Sequence, residues 1–340
     1  MTYCDEPPQF GSDHYRSLYT CFSLFVVLYL AEPGYEDAPV GDDLMEWLNS
    51  NFIEPSTEEG DHLSSLDRPW EDENFWSYLT RATLRGLSKA SLFFLEVLSQ
   101  HPSEDLQSLS KSLTPLIESQ PRLQHYSSER DFAYASRRWG DRVKAIRIEM
   151  ERVPEDERSD GFDNWWDSFS DIIGILEGRA EVIMRVCKEL GSDWKEVCAA
   201  WGVFVNVRLR RQDLPVGPIG LFRDVMSQVL DELPPDPTSL EDMIHIALIS
   251  GEPKKVLEHA SKLDRWLSAH LADFMVPLQL IETEPDELSC FLDLLIAAQN
   301  MVSRKNYGLA AAYSISAEDW PGLGRVVERI LEEYILNGVD

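Results

Sequence analysis

One apolar spacing constrains this chain more than any other feature. Phe132, Trp139, Val143, Ile146, Met150 and Val153 follow one another at steps of seven, four, three, four and three residues. Such steps line one face of an α-helix, whereas a strand needs alternation. Arg137, Arg138, Asp141, Arg142, Lys144 and Arg147 fall largely outside the stripe, and Pro154 stops the helix. Asp163 is the expected cap of the next helix, with Trp166, Phe169, Ile172, Ile173 and Leu176 facing inward and Gly178 near its end. Similar periodic runs predict helices over about 87–99, 104–119, 179–190, 193–211, 219–232, 239–249, 253–260, 262–275, 286–303, 306–315 and 321–336. Between them sit breakers such as Pro102, Pro121, Gly191, Pro215, Gly251, Pro277 and Pro321. Val203 to Arg210 alternates in part, but Trp194, Val197, Trp201, Val205 and Leu209 fit a helix over a longer window. The expected fold is all-α. Short loops and no fixed-length repeat point to an irregular helical solenoid.

The front of the chain reads differently. Residues 1–75 hold 17 acidic residues against Arg16 and Arg68, about half of the whole chain's net charge of −29. Segment 32–73 gathers Pro33, Gly34, Pro39, Pro55, Gly60 and Pro69, so it reads as loop broken by one short helix from about Asp42 to Phe52. The expected division is an acidic N-terminal region over 1–70, with one or two helices and loops, and a continuous helical solenoid over 71–340. A field this negative repels phosphate and anionic lipid, so no direct nucleic-acid contact is expected. The longest apolar stretch, Leu18 to Ala31, is interrupted by Thr20 and Ser23 and has an acidic upstream flank. It reads as a buried helix, not a signal peptide or a span of about 20 residues, so no membrane insertion is expected. Five dispersed cysteines (Cys4, Cys21, Cys187, Cys198 and Cys290) without a CxxC pair suit a reducing, intracellular setting.

Chemistry is sparse. Asp42, Asp43 and Glu46 form a DDxxE that could hold Mg²⁺ on one helix face, as in all-helical terpene cyclases. A matching Asn/Ser/Glu motif is missing, since Asn164 and Ser168 stand in the wrong order without the Glu. Asp42 and Asp43 fit the start of a helix, where carboxylates meet the dipole. His270 and Asp273 share a helix side at i,i+3; a core-edge His–Asp hydrogen bond is the expected role, with no ligand pair to complete a metal site. His245 and His259 read as surface or boundary residues, and Cys187 and Cys198 as small core hydrophobes. Residues 122–152 carry eight bases against five acids and read as a solvated face, or one meeting the chain's own acidic front. No catalytic, cofactor-binding or metal residue is nominated, and no enzyme activity or cofactor is expected.

Three segments resemble a known family: DWKEVCAAWGVFVNVRL at 193–209, SLEDMIHIALISGEPKKVLEHASKLDRWLSAHLADFM at 239–275, and NYGLAAAYSISAEDWPGLGRVVERILEEYILNG at 306–338. In succession they are similar to the nucleoporin eighty-five family, scaffold members of the Y-shaped nuclear pore subcomplex, in a fungal-like form. The resemblance covers residues 10–275 in order, with 306–338 matching a later part of the family's helical domain. It implies a fold-back helical domain of the coat-protein type at the nuclear pore complex of the nuclear envelope. It also implies a structural role in transport of protein and mRNA, and other scaffold nucleoporins of the Y-shaped subcomplex as partners. Full-length relatives donate an N-terminal β-blade to a Seh-type β-propeller. Residues 1–12, with Pro7, Pro8 and Gly11, offer no alternating run for such a blade, so stable propeller binding is not expected of this chain. Helices that the family places between Met275 and about Leu294 are missing, and a fragment or internally deleted form is the expectation. Apolar faces near Leu271, Phe274, Leu292, Leu295 and Ile296 are then expected to lie uncovered. The residues also leave open another α-solenoid scaffold or adaptor, such as a vesicle-coat or TPR-like protein. An all-helical Mg-dependent enzyme ranks last.

Overall fold

The computed structural model describes residues 12–30, 39–122, 125–126, 128–159, 164–207, 229–275, 278, 280, 298, 301–302, 305–316 and 319–337. The fold is all-α, with no strand among the described residues. Its helices are α1 (Ser12–Tyr29), α2 (Val40–Asn51), α3 (Thr57–Ser64), α4 (Phe75–Leu84), α5 (Ser88–Leu98), α6 (Glu104–Glu118), α7 (Glu129–Met150), α8 (Trp165–Leu176), α9 (Ala180–Glu189) and α10 (Trp194–Ala200). After them come α11 (Leu240–Ile249), α12 (Pro253–Leu263), α13 (Arg265–Met275), α14 (Tyr307–Ser316) and α15 (Trp320–Asn337). Of the expected helices, 219–232 and 286–303 fall mostly outside the described residues.

The chain divides into two compact units. One comprises Met1–Phe22, Pro237–Leu248 and Glu252–Asp340; the other comprises Ser23–Asp236 and Ile249–Gly251. Within the larger unit, successive helices pack as neighbours from α4 to α10, and two non-sequential pairings, α4 on α8 and α2 on α10, bring the chain back on itself. In the other unit, α12 packs on α13 and α14 on α15. None of the helices among the described residues is long and apolar enough to cross a membrane.

Local sequence accounts for most boundaries. Ser128 caps α7 by accepting the Asp131 amide at 3.2 Å, and Asp193 caps α10 by accepting those of Lys195 and Glu196 at 2.8 and 3.3 Å. Gly178 closes α8 in the left-handed region (φ +70°), and the Arg179 amide reaches Gly174 O at 3.0 Å, satisfying a carbonyl that the helix end leaves free. The predicted α7 stripe is the buried one: Phe132, Val143, Ile146, Met150 and Val153 are all in the core. Trp139 is half-buried and donates its indole N–H to Leu116 O at 2.8 Å. The Leu18 stretch likewise forms a helix, burying Cys21, Leu24, Phe25 and Leu28.

Four expectations change. Segment 32–73 holds α3 and a short 3₁₀ turn, Pro69–Glu71, besides α2, because Ser56 and Pro69 start helical turns as readily as they break loops. Asn164, not Asp163, caps α8, its side chain accepting the Asp167 amide at 3.4 Å; Asp163 lies outside the described residues. With that start, Trp165 is the fully buried ring, while Trp166 stays half-buried under the Arg158 guanidinium. Finally, the helix predicted over 193–211 widens into a π-turn, Trp201–Val205, which the Asn206 amide closes by reaching back five residues to Trp201 O at 2.9 Å. The wider turn shifts the phase, so Val203 and Phe204 are buried while Trp201 and Val205 are only half-buried.

Candidate scaffold frame and exposed faces

The DDxxE residues sit in the first turns of α2, where their charge meets the helix dipole. Neither Asp42 nor Asp43 caps the helix by a side-chain bond; Pro39 is the N-cap residue. Asp42 instead forms an ion pair with Arg122, and burial still pushes its carboxyl above the ordinary range, ahead of the opposing pull of that cation. Among the described residues no group of three or more His, Cys, Asp or Glu could hold a metal ion.

The histidines also find other work. His270 donates its Nδ1–H to Trp266 O at 2.9 Å and lies over the Trp266 ring with centroids 4.0 Å apart. It does not bond Asp273, contrary to expectation, because the carbonyl one turn back offers a partner on its own helix. The Asp273 carboxyl is pushed up by burial, with His270 pulling the other way. His245 is fully buried, not a surface residue, with Nε2 3.7 Å from Cys21 Sγ. One turn away, Glu241 accepts hydrogen bonds from Ser17 and Thr20, each at 2.6 Å. A polar ladder therefore joins Ser17, Thr20 and Cys21 on α1 to Glu241 and His245, one turn apart, on α11. Thr20, an interruption in the apolar run by sequence, is a rung of it. His259 is a boundary residue as expected. Cys187 and Cys198 are buried thiols whose ionisation burial pushes up, as suits core residues.

The larger unit has a second polar frame that the sequence conceals. Arg85 and Glu196, each 2% exposed, pair across α4 and α10, with Arg85 Nε 2.8 Å from Glu196 Oε1. Arg85 also donates to Phe52 O at 2.6 Å, while Asn49 Nδ2 donates to Arg85 O at 2.9 Å. Arg81 lies beside Glu196 at 3.5 Å and donates to Ser192 Oγ and Leu190 O. Charges buried this deeply persist only when paired and hydrogen-bonded. The pairing ties the end of α2 to α4 and α10. Next to it, α2 meets the π-turn backbone to backbone at Gly41 and Gly202, and Gly178 meets Phe204 O. Sequence reasoning singled out none of Gly41, Gly202, Arg85 and Glu196.

The exposed faces are of two kinds. In one unit, Tyr15, Tyr19, Trp266, His270 and Arg325 line an open groove of about 590 Å³. Of the faces expected to lie uncovered, Phe274 is 39% exposed, but Leu271 is fully buried because α12 packs on α13; Leu292, Leu295 and Ile296 lie outside the described residues. In the other unit, the outer side of α7 carries Tyr134, 70% exposed, and Ile148, 53% exposed, among arginines.

Comparison with known proteins decides the family. The Nup85 nucleoporin family model matches residues 6–293. This chain belongs to that family. The nucleoporin Nup85 of Schizosaccharomyces pombe (strain 972) is 23% identical over 241 residues, which cover 68% of this chain and 33% of the relative. The chain thus spans about a third of the length of the curated relative it matches. Two of the three segments that carried the resemblance, 193–209 and 239–275, lie inside the Nup85 family match, which continues to residue 293; 306–338 lies beyond it.

Proposed function

We propose that this chain is a structural scaffold component of the nuclear pore complex, acting through its helical surfaces and not through catalysis. The observation that carries the reading is the Nup85 family match across 6–293, laid on helices joined by polar pairs such as Arg85–Glu196 and Thr20–Glu241. Association with other nucleoporins at the nuclear envelope follows from the same membership. The finer reading places it in the short arm of the Y-shaped subcomplex, supporting transport of protein and mRNA. A fluorescent tag at the chromosomal locus tests this: a punctate nuclear rim is expected, and a diffuse or vesicular pattern overturns it. Purification through the same tag should recover scaffold nucleoporins. Probing that eluate for a Seh-type β-propeller tests separately the expectation that this chain holds none.

A further inference from the structure

Cations in this chain are scarce, 31 against 60 acids, and many of the described ones are matched to a carboxylate. Arg81, Arg85, Arg122, Arg185 and Lys188 all have one, and on α7 itself Arg147 meets Glu177 at 2.7 Å. Unmatched lysines such as Lys89, Lys111 and Lys254 are scattered over other helices, but the outer side of α7 gathers several unmatched cations on one face. Arg130, Arg137, Arg138 and Lys144, and Arg152 just beyond the helix end, are exposed and meet no carboxylate. In a chain where acids outnumber bases about two to one, leaving these cations together without a counter-charge marks a face whose complement lies elsewhere.

Their register says what that complement is. Arg130, Tyr134, Arg137, Asp141, Lys144, Ile148 and Arg152 advance by four, three, four, three, four and four residues, diametrically opposite the buried Phe132–Val143–Ile146–Met150 stripe. A four–three alternation is the seam along which a second helix packs. This seam is basic with two exposed apolar positions, and at 1.5 Å per residue it runs about 33 Å. We propose that the outer face of α7 docks an acidic amphipathic helix of another protein, about three heptads long, whose carboxylates meet Arg137, Lys144 and Arg152 and whose apolar seam covers Tyr134 and Ile148. The two exposed apolar positions, Tyr134 and Ile148, are covered by an apolar helix seam but not by a phosphate backbone, so an acidic amphipathic helix is favoured over RNA. The negative field of the rest of the chain does not forbid it: at about 0.15 M salt the Debye length is about 8 Å, so distant acids are screened while contacts across the seam persist.

The assay needs only the purified chain and stands independently of the pore assignment. Its probe is a fluorescein-labelled synthetic helix of about three heptads, Leu on the seam and Glu flanking it, titrated at about 0.15 M salt. A scrambled peptide of the same composition and a single-stranded RNA of about 20 nucleotides serve as comparisons. The heptad peptide should bind at least about tenfold more tightly than either, a factor worth about 1.4 kcal/mol. The variant R137E/K144E/R152E should lose at least that factor. K89E/K111E/K254E, which alters net charge equally through exposed unpaired lysines elsewhere, should stay within about twofold. The milder R137Q/K144Q/R152Q keeps the test valid if charge reversal disturbs folding, which far-UV circular dichroism monitors. Equal peptide binding by the reversed and parent chains overturns the proposal. So does RNA binding that R137E/K144E/R152E abolishes, or self-association of the chain that it abolishes, which would make a second copy the occupant.

Discussion

Gly41→Ala tests whether the α2–π-turn contact holds the larger unit together. A Cβ at Gly41 would stand 2.2 Å from the Gly202 carbonyl oxygen and 2.3 Å from its carbon. Both are backbone atoms, so no rotamer change makes room, and α2 must move off the π-turn. Overpacking costs about 1–3 kcal/mol, and a backbone obstacle belongs at the upper end. Alanine's helix preference offsets at most about 1 kcal/mol. The expected net loss is about 2 kcal/mol. At a urea slope of about 3 kcal/mol/M, the unfolding midpoint falls by about 0.7 M. Gly140→Ala on α7 is the matched control: nothing lies within 4 Å of the built Cβ, so only the propensity gain remains and the midpoint should rise. Urea titrations followed by tryptophan fluorescence and far-UV circular dichroism read both variants. A Gly41→Ala chain as stable as the parent, beside a Gly140→Ala chain that gains nothing, would refute the steric reasoning.

Removing one member of the buried pair, as in Arg85→Met, leaves Glu196 only the longer contact to Arg81 and should cost about 3 kcal/mol, while Arg85→Met/Glu196→Leu recovers most of it; a double variant no better than the single one contradicts this in the same denaturation assay. In a Cys4→Ser/Cys290→Ser chain, the buried thiols of Cys21, Cys187 and Cys198, all pushed up by burial, should stay inert to Ellman's reagent at mildly alkaline pH until urea is added. Rapid native reaction of any of them argues against that burial. Because burial raises the Asp42 carboxyl, protonation favours the folded chain: its contribution is full below the unfolded carboxylate value and fades as pH rises through the raised one. Asp42→Asn does not titrate, so its stability relative to the parent should climb as pH rises from about 4 through the raised Asp42 value and level off above it; a difference independent of pH excludes this coupling.

The helices were legible because periodicity is local. Phe132 to Val153 announces which side of α7 is buried without knowing what covers it, and Ser128 or Asp193 needs only its own next turn to act as a cap. The closures were not legible. Pairing α2 with α10 joins residues about 150 apart, and it depends on Gly41, Gly202, Arg85 and Glu196, none of which has a local pattern that marks it. His245 misled in the same way: its burial comes from Cys21, on a helix 224 residues earlier. Helix ends slipped where two capping residues stood side by side, as at Asp163 and Asn164.

Charge shows most clearly what a count misses and a fold supplies. The sequence of 122–152 gives eight bases against five acids, a sum in which every arginine weighs the same. In the folded chain Arg122 is taken by Asp42 and Arg147 by Glu177, so these two serve the larger unit's own packing. Of the six that remain, Arg130, Arg137, Lys144 and Arg152 stand in the register of a helix seam, opposite the buried stripe. An exposed ion pair contributes about 0–1 kcal/mol, so folding gains little from supplying a partner there and a docked helix could supply several at once. For a scaffold without a catalytic centre, function then resides in which charges the fold leaves unspent.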